Sequence, residues 1–438
     1  MDVLQTHCAG LDVHKQTVVA AVRVPEPKKK RGWRVITQTF GTMTADLLAL
    51  SDWLLTQGVS HAAMESTGEY WKPVYNILEA NFELLLVNPH HIKAVPGRTH
   101  RPTLASGQGH GQTDVSDAEW IAELLQYGLL RASFVPPKGQ RALRELTRAR
   151  TTFVRERATL VNRVQKVLES ANLKLGDVAR DVLGVSGRAM LEAVIDGHAR
   201  PEQMASLARG RLRNKHAQLV KALEGRVEAH HRFILTELLS QIDTLDETLE
   251  RFNAQILDAC VPFEHAVALW DTIPGVARTA AEIIVSEIGT DMRRFQSAEA
   301  LSAWAGVAPG NNESAGRPRS GRTRQGNAAL KTILVQAAHG ASRTKGTYLA
   351  AQYHRIAARR GRKRAIMAVA HSILVIGYHL MQRDEPYHEL GADYFDRRNP
   401  EMTAHRLVRR LEYLGYQVAL QSPSCDPTAM MRSALTIR

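Results

Sequence analysis

The order of strand-like and helix-like segments in the first 135 residues restricts the fold more than any other feature of this chain. Three β-branched or apolar segments come first, and helical patterns then alternate with two further short apolar runs. The strand-like segments are residues 7–13, 17–24, 33–42, 61–65 and 83–89, and the helical patterns cover residues 47–55, 70–78 and 113–125. Three sequential strands followed by alternating strands and helices predict a mixed α/β sheet with helices packed on it.

The pattern of strands and helices is that of a ribonuclease-H-like sheet, and four acidic residues lie at the ends of its strands or at the start of its last helix. Asp12 lies near the end of the first strand, and Glu65 ends the fourth. Asp114 and Asp117 open the last helix; Thr113 or Asp114 is its expected N-cap, and the three-residue spacing places both carboxylates on one helix face. If that helix crosses the sheet, the four carboxylates meet, and such oxygen ligands suit Mg²⁺ ions about 3.5–4 Å apart that clamp a phosphodiester. Considered singly, each acid is equally well explained as a turn or helix-start residue.

Two long amphipathic helices are predicted in the middle of the chain. Their apolar residues recur at intervals of three and four, and the first helix also carries many arginines on its other faces. These apolar residues are Leu143, Leu146, Phe153, Leu160, Val164 and Val167 in the first helix, and Leu235, Leu238, Ile242, Leu245, Leu249, Phe252 and Ile256 in the second. Two interpretations stay open: an antiparallel hairpin packed on itself, and a dimerising coiled-coil arm with a basic side facing RNA or DNA. Residues 176–230, between the two helices, have the Gly and Pro breaks of short helices.

A second region with possible phosphate chemistry begins at residue 271. Residues 271–281 resemble a helix-hairpin-helix, in which the turn at Gly275 and the neighbouring Arg278 would bind a phosphate without reading bases. A plain connection between two helices is the alternative.

A segment rich in Gly, Ser and Arg follows at residues 304–327, between two apolar helices. A serine hydroxyl such as that of Ser314 is a poor nucleophile unless a base, a metal or a polarised electrophile activates it. Four arginines in the segment are suited to polarise a phosphate, namely Arg317, Arg319, Arg322 and Arg324. From the residues alone, a flexible phosphate-binding loop without catalysis is the favoured interpretation.

Charge and composition point to a polyanionic partner in a reducing compartment. The formal net charge is +13, and residues 314–383 contain no Asp or Glu. The three cysteines form neither a disulfide framework nor a zinc pattern, which favours the cytoplasm. No apolar run reaches membrane-spanning length and no signal peptide is recognisable, so we expect no membrane association.

These regions predict four parts of the chain. They are a sheet domain at residues 1–135, a helical coiled-coil region at 136–265, a mainly helical domain with the hairpin and serine loop at 266–385, and a basic tail at 386–438. In the tail we expect a basic helix at residues 406–414 and a short strand at 416–420.

The ordered set of these segments resembles one family, the DEDD-type transposases of the insertion-sequence family "IS one-ten", which are understood as RNA-guided recombinases. The resemblance runs from about residue 8 to residue 340. The segments that carry it are Gly10-Leu11-Asp12-Val13-His14-Lys15, Met64-Glu65-Ser66-Thr67-Gly68, Asn88-Pro89, Val95-Pro96-Gly97-Arg98, Thr113-Asp114 with Asp117-Ala118, Ile273-Pro274-Gly275-Val276, and the loop from Ser314-Ala315-Gly316 to Gly326-Asn327.

The resemblance implies a RuvC-like first domain, a coiled-coil middle and a C-terminal transposase domain. It implies that Asp12, Glu65, Asp114 and Asp117 bind Mg²⁺, and that Ser314 attacks DNA to form a covalent phosphoserine at a site composed from both domains. It also implies a structured noncoding RNA that pairs with double-stranded donor and target DNA, and assembly as a homodimer or homotetramer.

Two departures from the family pattern affect these expectations. Residues 99–112 intervene between the Pro-Gly-Arg segment and the acidic helix, where the family runs almost directly on. Ser320 is a second serine in the loop, and Ser314 is preferred because it precedes Ala-Gly. Two other functions remain open: a RuvC-like, junction-resolving nuclease without a covalent intermediate, and a nucleic-acid-binding protein without catalysis.

Overall fold

The computed structural model describes residues 3–26, 32–66, 68–95, 111–310, 312–314, 317–321, 323 and 325–420. The chain divides into two compact units, Met1–Val135 and Pro136–Arg438. The basic run at residues 28–31 and most of the segment at 99–112 lie outside the described residues.

The first unit contains the predicted mixed sheet. Its elements are β1 (Cys8–Val13), β2 (Thr17–Pro25), β3 (Trp33–Gly41), α1 (Thr44–Thr56), β4 (His61–Glu65), α2 (Trp71–Leu78), β5 (Glu83–Val87), α3 (Pro89–Ala94) and α4 (Gly111–Gln126). The strand order is β3-β2-β1-β4-β5, with β1, β2 and β3 antiparallel and with β4 and β5 parallel to β1. This is the ribonuclease-H-like topology that the sequence predicts; the short helix α3 was not expected.

Strand alternation decides which side chains face α4. Leu11 of β1 and Met64 of β4 belong to the core on the side of α1 and α2, whereas Cys8 and Ala63 belong to the core that contains α4 residues. Successive side chains of a strand point to opposite faces. Asp12 and Glu65 therefore share the α4 side of the sheet with Cys8 and Ala63.

The contact between α4 and β1 depends on Gly10. A Cβ atom at Gly10 would lie 2.2 Å from the carbonyl oxygen of Ala118 and 2.3 Å from the backbone nitrogen of Ala122. The Cys8 thiol donates a hydrogen bond of 3.5 Å to the Ala122 carbonyl. The two backbones thus meet directly, and the first turn of α4, which contains Asp114, lies toward the end of β1 that carries Asp12.

The second unit is almost entirely helical. Its helices are α5 (Lys138–Ser170), α6 (Leu175–Val178), α7 (Val185–Asp196), α8 (Pro201–Ser206), α9 (His216–Leu223), α10 (Ala229–Cys260), α11 (Glu264–Asp271), α12 (Arg278–Ile288), α13 (Ala298–Ala305), α14 (Ala328–Ala341), α15 (Tyr348–Arg360), α16 (Arg362–Arg383), α17 (Tyr394–Arg397) and α18 (Pro400–Tyr413). Short 3-10 helices cover Gly210–Lys215, Val261–Phe263 and Met292–Arg294. Two short antiparallel strands, β6 (Asn312–Ser314) and β7 (Arg317–Ser320), lie between α13 and α14.

Helices α5 and α10 form an antiparallel hairpin within the chain. Arg157 of α5 forms an ion pair with Asp246 of α10, and the rings of Phe153 and Phe252 lie 5.2 Å apart. Helices α6 to α9 share a hydrophobic core with the parts of α5 and α10 nearest to them. The self-packed hairpin is thus present, and the dimerising role of this arm stays a prediction.

Helix α16 is long and apolar enough to cross a membrane by length and composition, and it is the one such helix in the part of the chain that the structure describes. The expectation that no segment reaches that length was therefore wrong. In this unit α16 packs against α11, α13, α14 and α15. At Gly377 the ring of Trp270 packs so closely that an added Cβ would lie 1.9 Å from it. Such packing is that of a core helix.

Three local predictions differ from the structure. Helix α4 begins at Gly111, so Asp114 lies in its first turn and neither it nor Thr113 is the N-cap. The serine segment contains the β6–β7 ribbon where a flexible loop was expected. The predicted tail helix is present as α18. Residues 416–420 do not form the predicted strand, since no segment among the described residues pairs with them.

We expect Gly10→Ala to destabilise the first unit by about 1–3 kcal/mol, because the new methyl group would push α4 away from β1. Urea unfolding of the full chain measures the change. Gly139→Ala in α5 is the matched control, since nothing lies within 4 Å of its Cβ position and alanine there favours the helix. Equal losses in the two variants would contradict the close contact at Gly10.

Candidate functional site

Two of the predicted acids come together at the carboxyl end of β1, with a histidine between them. The Nε2 atom of His14 lies 3.1 Å from Oδ2 of Asp12 and 3.6 Å from Oδ1 of Asp114. The ligand atoms of these three residues all lie within 4.8 Å of one another. Asp12 is the last residue but one of β1, and His14 begins the turn to β2, where its backbone N–H donates to the carbonyl of Thr17. We call Asp12, His14 and Asp114 the acidic cluster.

The other two predicted acids, Glu65 and Asp117, lie on elements that contribute to this cluster or pair with one that does. Glu65 is the last residue of β4, which pairs with β1 in parallel so that Met64 is opposite Leu11. One residue further along, Glu65 is beside Asp12 and close enough to affect its pKa. Asp117 follows Asp114 by three residues in α4, and both are partly buried.

Burial makes the charge on Asp12 costly. The side chain of Asp12 is 14% exposed, and this burial raises the pKa of its carboxyl group above the usual range. His14 lowers the same pKa by proximity and by a hydrogen bond, while Asp114 and Glu65 raise it. The cluster therefore concentrates negative charge that a cation would stabilise.

The donor set fits a hard divalent cation. Oxygen ligands of Mg²⁺ lie at about 2.0–2.1 Å from the ion, so ligands on opposite sides are about 4 Å apart. The candidate ligand atoms of the acidic cluster all lie within 4.8 Å of one another, which is of the same order. Asp12 and Asp114 could supply the carboxylate oxygens for such an ion, and the His14 ring could supply a nitrogen or orient one of the carboxylates.

His14 was not among the predicted site residues. Its signal was present in the sequence as Asp12-Val13-His14, two residues apart at the end of a strand. That spacing becomes informative only when β1 is known to end at Val13, because the chain then turns and the His14 ring can fold back over Asp12.

Ser314 lies in the second unit, at the end of β6. Its backbone pairs with Arg317, the first residue of β7, and Arg319 lies two residues further along the same strand. Arg322 and Arg324 lie outside the described residues. Ser314 thus lies at the end of a strand that pairs with a second strand whose sequence contains two arginines.

The end of the serine segment is fixed by a buried carboxylate. Asn327 caps α14 by accepting a hydrogen bond from the N–H of Leu330, and its Nδ2 donates to Oε2 of Glu287 at 2.6 Å. Glu287 is fully buried and also accepts two hydrogen bonds from Arg148, at 2.7 and 2.9 Å. Since breaking a buried pair leaves an uncompensated charge, this contact strongly orients its partners.

The segment predicted to form a helix-hairpin-helix consists of α11, a turn and α12, an arrangement that a plain connection between two helices would also give. Gly275 has a φ of +87°, and a Cβ there would lie 2.3 Å from the backbone nitrogen of Ala341, so the turn packs closely on α14. The Arg278 guanidinium donates to both carboxylate oxygens of Glu264 at 2.7 Å, which raises the pKa of Arg278 and lowers that of Glu264. Phosphate binding by Arg278 stays a prediction, and a phosphate would have to displace Glu264.

Two family models match the chain. A transposase model of the DEDD type, from the IS110 group, matches residues 9–173. A model described as "Transposase IS116/IS110/IS902 family" matches residues 267–354. The first match contains the acidic cluster, and the second contains Ser314, Asn327 and the helix-hairpin-helix.

Several curated proteins are similar over most of the chain. A putative transposase of Sinorhizobium fredii is 28% identical over 87% of this chain and 85% of its own length. The transposase of the insertion sequence element IS1111A from Coxiella burnetii is 25% identical over 69% of this chain and 72% of its own length. Among solved structures, Thermus thermophilus RuvC matches 29% of this chain and 99% of its own, with 15% identity and a TM-score of 0.22.

We expect the chain to bind Mn²⁺ or Mg²⁺ and Asp12→Asn to weaken that binding about tenfold or more, because it removes one charged ligand. Titration calorimetry, or the loss of the free Mn²⁺ electron paramagnetic resonance signal, measures the affinity. Asp52→Asn is the matched control, since Asp52 is an exposed carboxylate on α1. Equal affinity in wild type and Asp12→Asn would show that the acidic cluster is not a metal site.

Proposed function

Because the chain belongs to the IS116/IS110/IS902 family of transposases, we propose that it is the recombinase of an insertion sequence, which cuts donor and target DNA and rejoins the strands. The observation that carries this proposal is the convergence of Asp12 and Asp114 from distant parts of the sequence, with Glu65 beside them. Acids gathered at the carboxyl end of a strand, on the side of a covering helix, are suited to phosphodiester chemistry.

In this proposal Asp12, Glu65, Asp114 and Asp117 hold Mg²⁺. Bound there, the metal would neutralise charge on the phosphate that is cut. The chain itself contributes the fixed spacing: β1 positions Asp12, β4 positions Glu65, and the contact of α4 with Gly10 positions Asp114. His14 orients Asp12 through the hydrogen bond of 3.1 Å.

Ser314 is the proposed nucleophile. Its Oγ forms a bond to phosphorus while the bond from phosphorus to the leaving strand oxygen breaks, and the hydroxyl proton passes to that oxygen. A hydroxyl of the strand to be joined then attacks the phosphoserine, which restores the serine and reseals the DNA without a net change in the number of phosphodiester bonds. Arg317 and Arg319 on β7, with Arg322 and Arg324 beyond it, are proposed to bind the phosphate, and Gly275 and Arg278 to contact the DNA backbone.

Sequence choice is proposed to rest with a structured noncoding RNA that pairs with double-stranded donor and target DNA. A protein with a formal net charge of +13 suits such a complex, since its contacts would be mainly to phosphates. We propose that it acts as a homodimer or homotetramer in the cytoplasm, on the DNA of the nucleoid.

We expect Ser314→Ala to abolish strand joining, with a loss of at least about 10³-fold, and to remove any covalent protein–DNA adduct. Denaturing gel electrophoresis of labelled DNA detects the adduct. Ser320→Ala, six residues along in the same ribbon, is the matched control and should retain it. Free cleaved ends without an adduct in wild type would favour a junction-resolving nuclease, and full activity of Asp12→Asn would favour a non-catalytic binding protein.

Strand joining should also require RNA. We expect treatment of the purified protein with a ribonuclease to reduce strand joining at least about tenfold. Addition of an RNA transcribed from the noncoding segment beside the reading frame should restore strand joining. Changing the bases of that transcript that pair with the target should redirect joining to the complementary sequence, which sequencing of the products measures. Unchanged joining after complete RNA removal would contradict RNA guidance, while leaving the metal and serine roles intact.

A further inference from the structure

An open groove of about 1000 Å³ lies within the second unit, where α5 passes α12, α13 and α14. Four arginines of α5 line it, together with one tryptophan of α13; they are Arg144, Arg148, Arg150, Arg155 and Trp304. We call this surface the arginine groove. Its floor includes Gly326 and Asn327, the end of the serine segment.

The arginine groove carries an excess of positive charge. Arg144 and Arg148 share one carboxylate, that of the buried Glu287. The Arg150 guanidinium donates to the neutral side-chain amide of Asn253, and Arg155 is exposed. Among the described residues that line the groove, none is acidic. Four arginines thus line a groove that no acidic residue lines, and the nearby carboxylates of Glu287 and Glu282 offset part of this charge. A surplus of positive charge is the electrostatic character of an anion-binding site.

The buried carboxylate also fixes the shape of the groove. Arg148 binds Glu287 through two nitrogens, and half of its side chain remains exposed. Arg144 donates to the carbonyl oxygens of Ser286 and Glu287. Burial lowers the pKa of Arg144 to about 10, so it stays charged at neutral pH. A rigid cationic wall loses little conformational freedom when it binds a ligand.

Trp304 adds a flat apolar surface to this cationic wall. Its ring is partly exposed and packs against Phe295 at 5.7 Å between ring centres. The backbone carbonyl of Trp304 accepts a hydrogen bond from the N–H of Asn327, which ties the tryptophan to the end of the serine segment. An aromatic face beside a row of cations is the arrangement that binds unpaired nucleotides, whose bases stack while their phosphates contact arginine.

We propose that the arginine groove binds a single-stranded nucleic-acid segment, with its phosphates on Arg148, Arg150 and Arg155 and a base stacked on Trp304. A duplex hides the faces of its bases within the stack, so Trp304 favours an unpaired strand over a duplex. Because Gly326 and Asn327 are among the residues that line the groove, the bound strand passes beside the serine segment. The inference rests on the proposed function only in taking nucleic acid as the ligand.

The test measures binding of fluorescent 20-nucleotide single strands to the full-length chain carrying Ser314→Ala, by anisotropy over a range of salt concentrations. We expect Arg155→Ala to weaken binding several-fold and to reduce the slope of log affinity against log salt by about 0.7, the value for one phosphate contact. Trp304→Leu should weaken it about tenfold, and Trp304→Phe should restore most of the loss. Arg163→Ala is the matched control, since Arg163 is an exposed arginine of α5 that does not line the groove.

Photocrosslinking locates the strand independently of affinity. Oligonucleotides with 5-bromouracil should form adducts with the peptide that contains Trp304, identified by mass spectrometry. DNA and RNA strands of the same sequence, tested side by side, show which of the two the groove prefers. Adducts that all map elsewhere, or a loss in Arg155→Ala no greater than in Arg163→Ala, would overturn the proposal, as would equal competition by a duplex. Thermal unfolding of each variant separates a binding defect from a folding defect.

These outcomes are distinguishable from a failure of the proposed function. Binding in the groove is measured with the Ser314→Ala chain, so it does not depend on cleavage. If the groove variants bind normally while Ser314→Ala abolishes joining in the otherwise unchanged chain, the groove is wrong and the recombinase remains. If they lose binding while no DNA adduct forms in the wild type, the groove stands and the serine role is wrong.

Discussion

The first unit depends on one contact between two backbones, that of β1 at Gly10 with α4 at Ala118 and Ala122. Carboxylates repel one another, and burial increases the cost of each charge. Only a framework that is stable for other reasons can hold Asp12 and Asp114 within a few ångströms of each other. The apolar residues on both sides of the sheet supply that stability. Because Gly10 has no side chain, the backbone of α4 can also pack directly on the backbone of β1.

A second constraint organises the other unit, and it is electrostatic. The buried carboxylate of Glu287 binds Arg148 of α5 and Asn327 at the start of α14, so a single charge joins the long hairpin to the end of the serine segment. Buried ion pairs contribute little net stability compared with apolar residues of similar size. In this unit the contacts of Glu287 serve to orient its partners, because Arg148 and Asn327 must both point at the same carboxylate to satisfy it.

Much of the fold follows from local sequence patterns, and the exceptions have physical causes. The five strands and the two long helices were predicted because their apolar residues repeat with the period of the element. The β6–β7 ribbon was missed, since two mainly polar strands, one of three residues and one of four, are too short to show such a repeat. Asp12, Glu65 and Asp114 could be predicted to meet, because strand ends and a covering helix share one edge. His14, Glu287 and Trp304 could not, because their importance arises from contacts between residues far apart in sequence or from a turn that the sequence does not locate.

The length of α5 has a mechanical consequence. A helix of 33 residues is about 50 Å long, and it is held near one end by Glu287 and along its length by α10. From Arg148, which binds Glu287, to Ser170 the helix is about 33 Å long, so a rotation of about 10° at Arg148 would move its far tip by about 6 Å. The hairpin therefore has the geometry of a lever. A force on its far tip would act with a long arm on the contact of Arg148 with Glu287 and Asn327, beside the serine segment, and a small rotation at that contact would become a large displacement of the tip.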